Sequence, residues 1–125
     1  MFTLDFSDRR PIYEQIKDNI KEMILRGILK ENEKIPSVRE LAVMLTINPN
    51  TIQKAYRDLE NEGYIHTVKG RGSFVTSHAH NLTKLKVLEV KKEFEKSAKT
   101  LKELGEEEES LILMVRNIYH GEEEK

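Results

Sequence analysis

Asn48, Asn50, Thr51, Gln53, Lys54 and Arg57 fall within one ten-residue stretch of a 125-residue chain. Their chemistry divides in two. A carboxamide sets a donor beside an acceptor, which matches the two-point edge of adenine, and threonine can meet a base or a thymine methyl. Lysine and arginine neutralise phosphates. A second set, Lys69-Gly70-Arg71-Gly72, joins two cations to glycines whose missing Cβ lets a backbone approach a sugar-phosphate chain closely. Each set has an ordinary alternative: a solvated helix face carries such polar residues, and a glycine-rich turn is often flanked by charge.

Other chemistries are poorly served. His78-Ala79-His80 could turn two imidazoles to one side of an extended segment. With no Cys and no nearby carboxylate cluster, a third metal ligand is missing, and the segment reads as a polar linker. His66 lies among strand-forming residues, His120 precedes Gly121, and no serine has the glycine-flanked setting of a nucleophile. Gly70-x-Gly72 follows one strand-like run and precedes another, so it is a turn and not a phosphate-cradling loop before a helix. The run Glu106–Glu109 reads as solvated charge at a helix start. The chain is expected to be no enzyme and to use no cofactor or metal.

Composition sets the frame for these residues. One domain with a small appendage fits the length, and the absence of cysteine excludes a disulfide scaffold. No apolar run is long enough to span a bilayer, and the first six residues carry acid where a signal peptide needs base, so the expectation is a soluble, cytoplasmic protein with no membrane partner. The net charge of −1 predicts no polyanionic partner by itself; any such case rests on local arrangement. Residues 1–76 hold 12 Lys and Arg against 11 Asp and Glu, whereas residues 77–125 hold 9 against 11, with no proline and two acid runs, Glu106–Glu109 and Glu122–Glu124. With the polar stretch Ser77–Asn81, this shift marks a boundary between domains 1–76 and 77–125.

The elements that position the polar stretch are legible in order. Pro11 suits an opening turn, and Ile12, Ile16, Ile20, Met23 and Ile24 share one helical face that ends near Gly27. Ser37-Val38-Arg39-Glu40 is a capping box, in which Ser37 accepts from the third helical N–H and Glu40 reaches back. Leu41, Ala42 and Leu45 give that second helix a buried face, and the chain breaks at Thr46-Ile47. Asn48-Pro49 then combines a good cap with proline at the first helical position. Ile52, Ala55, Tyr56 and Leu59 mark the inner face of the third helix, and Gly63 closes it. Two strand-like runs, Tyr64–Val68 and Ser73–Thr76, flank the glycine turn as a hairpin. Helix, helix-turn-helix and hairpin make a winged helix. In such a motif Arg39 stands where the leading helix crosses a nucleic-acid backbone, although a surface ion pair would use it equally well.

Beyond the boundary, Leu85, Leu88, Phe94, Ala98, Leu101 and Leu104 run through a Lys/Glu-rich stretch as one helix from about residue 82 to 104, roughly 34 Å long. Leu111 to Val115 fits a strand or a buried helix. The glutamates upstream, and the continuing pattern at Ile118 and Tyr119, favour a helix. The fold class expected is mainly α with a small β-hairpin, a winged helix-turn-helix domain followed by a two-helix dimerisation tail. The tail's apolar residues Leu85, Leu88, Phe94, Leu101, Leu111, Met114, Val115 and Ile118 should be buried on another copy, or on the winged domain itself.

Four blocks, Pro36–Ala42, Asn50–Glu60, Glu62–Ile65 and Gly70–Val75, together resemble the winged-helix domain of the GntR family of bacterial transcriptional regulators, over about half of the chain. The resemblance implies a homodimer on a two-fold related, inverted-repeat operator in double-stranded DNA. Ser37, Arg39 and the start of the third helix would lie at the major groove, with the Gly70 turn nearby. Members with a base-reading basic residue where Pro49 stands differ from this chain, which shifts base contact towards Asn48, Asn50, Thr51 and Gln53. The 49 residues after Thr76 are too few for the large effector domains or the pyridoxal-phosphate-binding domain of other branches; a short helical tail is similar to the YtrA subfamily. The expected function is a sequence-specific regulator that represses by occluding a promoter. The operator and any small-molecule effector are not specified. The alternative is a winged-helix module that docks a protein, which would need an apolar outer face on the third helix.

Overall fold

The computed structural model describes residues 4–121; the acid run Glu122–Glu124 and the first three residues lie outside them. Five helices and three short strands follow in the order α1 (Ile12–Leu25), β1 (Lys34–Ile35), α2 (Val38–Leu45), α3 (Pro49–Asn61), β2 (Ile65–Val68), β3 (Gly72–Val75), α4 (Ala79–Glu103) and α5 (Glu108–His120). The winged helix-turn-helix is therefore present, followed by two helices, as the apolar spacing requires.

α1 turns Ile16, Ile20 and Ile24 inward onto Ile52, Ala55, Tyr56 and Leu59 of α3. Leu41 and Ala42 of α2 and Ile35, Ile65 and Val75 of the sheet close the same core. Burying an aliphatic side chain of this kind contributes about 1.5–3 kcal/mol. Gln15 is the polar member of this interior. Its Oε1 accepts from Asp5 N at 2.8 Å, and its Nε2 donates to the Asp5 and Arg10 carbonyls, which ties the segment before α1 onto the helix.

Local chemistry sets the ends of the two central helices. Ser37 Oγ accepts from Glu40 N at 3.1 Å while Glu40 Oε1 accepts from Ser37 N at 2.8 Å, so the capping box is complete. That backbone donor holds the Glu40 carboxyl below its ordinary pKa. α2 stops at Thr46, whose φ of 56° is left-handed and turns the chain sharply towards α3.

The hairpin gains a strand that sequence periodicity does not reveal. β1 pairs antiparallel with β3, giving the order β1-β3-β2 with Lys34 opposite Phe74 and Phe74 opposite His66. Two residues are too few to show a period. β1 exists because Asn32 and Glu33 also exchange backbone bonds with Val75.

Two compact units divide between Leu85 and Lys86. α4 begins at Ala79, a few residues earlier than its apolar pattern suggests, so Ala79 and His80 of the polar linker expected at 78–80 instead open the helix. Ala79 is buried in the core, His80 N donates to Glu31 Oε2 at 2.9 Å, and Thr83 Oγ1 lies 3.1 Å from the Leu25 carbonyl. A carboxylate at a helix N-terminus is a favourable partner for its unpaired N–H groups, and Glu31 supplies it from a distant loop. In the second unit, Gly105 at φ 95° ends the α4 turn, and α5 starts with Glu108 and Glu109 and ends at a left-handed Gly121.

Candidate nucleic-acid interface

The residues that cap α3 also set its register. Asn48 Oδ1 accepts from Asn50 N at 2.8 Å, and Pro49, which has no N–H to leave unpaired, takes the first helical position. The four buried residues Ile52, Ala55, Tyr56 and Leu59 fix one face against the core, so Asn50, Gln53, Lys54 and Arg57 come out on the opposite face. Their spacing of three and four residues lines them up as one stripe. Thr51 is half-buried on the flank. Tyr56 pins the arrangement from inside: its Oη donates to the Pro36 carbonyl at 2.6 Å, and burial pushes its phenol well above the ordinary pKa. The contact joins α3 to the residue leading into α2.

Charge is sorted along α3. Its C-terminal half carries Asp58 and its C-cap is Glu62, and both meet α1. Glu62 receives Lys17 at 3.0 Å and Lys21 at 2.9 Å, Lys17 also lies 3.9 Å from Asp58, and Lys21 stands over the Tyr64 ring. The lysine hydrogen bonds hold the Glu62 carboxyl below its ordinary range, Lys21 first, and the Glu62 bond raises Lys17. The outward cations differ. Among the described residues, Arg39 on α2, Arg57 on α3 and Lys69 and Arg71 on the wing meet no carboxylate within 4.0 Å. All four are exposed.

The wing turn is closed by Arg71 N donating to the Val68 carbonyl at 2.9 Å, with Gly70 at φ 81° in the third position of the turn, where positive φ is needed. Lys69 and Arg71 stand on either side of it. His66 and Phe74 stack on one face of the hairpin with centroids 5.8 Å apart.

The polar residues singled out from sequence thus occupy different settings. Asn50, Gln53 and Arg57 are outward on one stripe. Asn48 and Ser37 have an oxygen engaged in capping. Lys54 belongs to the stripe, but its ammonium stands 4.3 Å from the Tyr13 ring centroid, a contact with α1 that spacing along α3 could not reveal. No large apolar side chain is exposed anywhere on α3, contrary to the need of a protein-docking face there. In the tail, Leu85, Leu88, Phe94, Met114 and Ile118 are exposed, while Leu101, Leu111 and Val115 are half-buried. No described helix is long and apolar enough to cross a membrane.

Residues 12–75 match the sequence model described as bacterial regulatory proteins, gntR family. The HTH-type transcriptional repressor YtrA of Bacillus subtilis (strain 168) is 49% identical over 79 residues, 63% of this chain and 61% of that protein. The HTH-type transcriptional regulator YhcF of the same organism is 35% identical over 116 residues, covering 93% of this chain and 96% of that one. A transcriptional regulator from Oenococcus oeni superposes with a TM-score of 0.75 at 30% identity, over 95% of this chain and 99% of its own.

Proposed function

The chain belongs to the gntR family and is a DNA-binding transcriptional regulator rather than an enzyme, and we propose that it is a repressor that binds a two-fold related operator as a homodimer in the cytoplasm. The observation that carries the reading is the sorting of cations. Those on the α1 side of α3 are tied to Glu62 and Asp58, while Arg39, Arg57, Lys69 and Arg71 remain unpaired beside a stripe of base-pairing side chains. Unpaired cations can release counterions from a phosphate backbone, which supplies affinity, and Asn50 and Gln53 can read base edges, which supplies preference.

Dimerisation is read from the tail. α4 beyond Leu85 and α5 hold no buried apolar residue, so Leu88, Phe94, Met114 and Ile118 call for a cover that a second copy would provide. Two recognition helices about 34 Å apart would then meet successive major grooves on one side of the duplex. Repression by promoter occlusion needs nothing beyond tight binding, and similarity to a transcriptional repressor supports it.

Selection of bound sequences from a random duplex pool, with footprinting of the enriched duplex, tests the whole reading. The expected result is an inverted repeat protected on one face at a protein stoichiometry of two. A selected site without two-fold symmetry, bound by single copies, would overturn it.

A further inference from the structure

Lys34 stands on β1 opposite Phe74, and residues 74 and 72 share a face of β3, because side chains alternate along a strand. Gly72 presents no Cβ on that face. A methyl group built there would lie 2.9 Å from Lys34 Cε, 3.9 Å from Cδ and 3.7 Å from Nζ. The lysine stem therefore crosses bare backbone at Gly72, as a diagonal cross-strand neighbour, and brings its ammonium to the base of the turn that carries Lys69 and Arg71. Its strand is held firmly: the next residue, Ile35, is in the core, and the Pro36 carbonyl takes the Tyr56 hydroxyl. No carboxylate lies within 4.0 Å of Lys34 Nζ among the described residues. Glu40, whose carboxyl feels the Lys34 charge, has Oε1 engaged by Ser37 N.

We propose that Lys34 is a third phosphate-binding cation of the wing, and that Gly72 is glycine partly so that this lysine can reach the turn. The proposal deepens the DNA-interface reading above and rests on it. A tip cation such as Lys69 must give up its own freedom to hold a phosphate, whereas Lys34 is already laid along the sheet, so less ordering is required on binding. Glycine at position 72 thus has two roles: its φ of 117° suits the end of the turn, and its bare face is the channel for the lysine stem.

The test uses the full chain on two fluorescent duplexes, a random-sequence one of about 30 base pairs and the selected operator. Affinity is measured between about 50 and 200 mM salt. Lys34→Met keeps the apolar stem and removes the charge. It should lower the magnitude of the log–log salt slope by about 0.9 per copy and weaken binding by up to about eightfold per copy at 0.1 M salt, whereas Lys34→Arg keeps both near the wild-type values. Gly72→Ala should lose the same slope by displacing the lysine, and the double variant K34M/G72A should lose no more slope than K34M. Because φ 117° is strained for alanine, thermal unfolding of Gly72→Ala is followed in parallel, and Lys34→Met decides the assignment by itself. A Lys34→Met variant with wild-type slope and affinity on both duplexes overturns the proposal. Slope losses that add in the double variant overturn the link to Gly72. A wild-type chain with no salt-dependent binding to either duplex brings down the interface reading, and the Lys34 assignment with it.

Discussion

The winged unit and the tail use similar apolar and charged residues at helical spacing, but they dispose of them in opposite ways. Among the described residues, every buried hydrophobic side chain lies between Ile16 and Ala79, and Ile16, Leu41, Ile52 and Leu59 are sealed from solvent. The tail past Leu85 seals none, and Phe94 remains 60% exposed and Tyr119 82%. An amphipathic pattern therefore predicts a face that needs cover without saying what the cover is. In the winged unit three helices and a sheet supply it from one chain. The tail has two helices and no third layer, and in the homodimer proposed above a second copy supplies the cover.

The contrast can be broken most sharply in the tail. Leu88→Glu with Phe94→Glu should convert the chain to single copies by sedimentation and weaken operator binding about 10²–10⁴-fold, because linked half-sites lose their effective concentration. The melting of the winged unit should be unchanged. A dimer that survives the pair would exclude this face as the interface.

In the core, Leu59→Ala should cost about 2–5 kcal/mol in urea unfolding, since α3 cannot close the cavity alone. The same truncation at exposed Leu104 should cost almost nothing in a monomeric background.

On the interface, Gln53→Ala should reduce discrimination between the selected operator and single-base variants by about 1–3 kcal/mol. Arg71→Ala should instead weaken all duplexes alike and lower the salt slope by about 0.9 per copy. A Gln53 variant with full discrimination would remove that side chain from base reading.

The smallest effect belongs to the Glu62 clamp. Its carboxyl is lowered in the folded chain, so its contribution is complete above its ordinary pKa of 4.5 and fades as pH falls through the lowered value. Lys17 is raised above 10.5, so its share holds below that pH and fades only above it. With Glu62 more than a third exposed, solvent screening keeps the gain under about 1 kcal/mol. Glu62→Gln should flatten the acid limb of stability against pH without shifting the neutral plateau by more than that.

The features readable from sequence are those decided within four residues. The Ser37–Glu40 box, the Asn48-Pro49 start, the inner face of α3 and the Gly70 turn depend on neighbours that the pattern itself contains. The features that escaped depend on partners far along the chain. β1 is a strand only because β3 lies beside it, and Ala79 is helical and buried because a core assembled from distant elements receives it. Lys17 and Lys21 find Glu62 at separations of 45 and 41 residues, and Lys54 finds Tyr13 on another helix. The stripe on α3 was thus legible as a set of residue types, whereas which cations stay unpaired was not. The tail was legible as two helices, but its start at Ala79 was not.

The Glu62 clamp also bears on how the chain finds its target. At a net charge of −1 there is no overall pull towards a polyanion, and mobile ions damp any local field beyond about 10 Å. Pairing with Glu62 leaves the Lys17 and Lys21 ammoniums less available to phosphate than the cations of Arg39, Arg57, Lys69 and Arg71. On the proposed interface, an encounter led by the wing and α3 releases more counterions than one led by the α1 flank, and so persists longer.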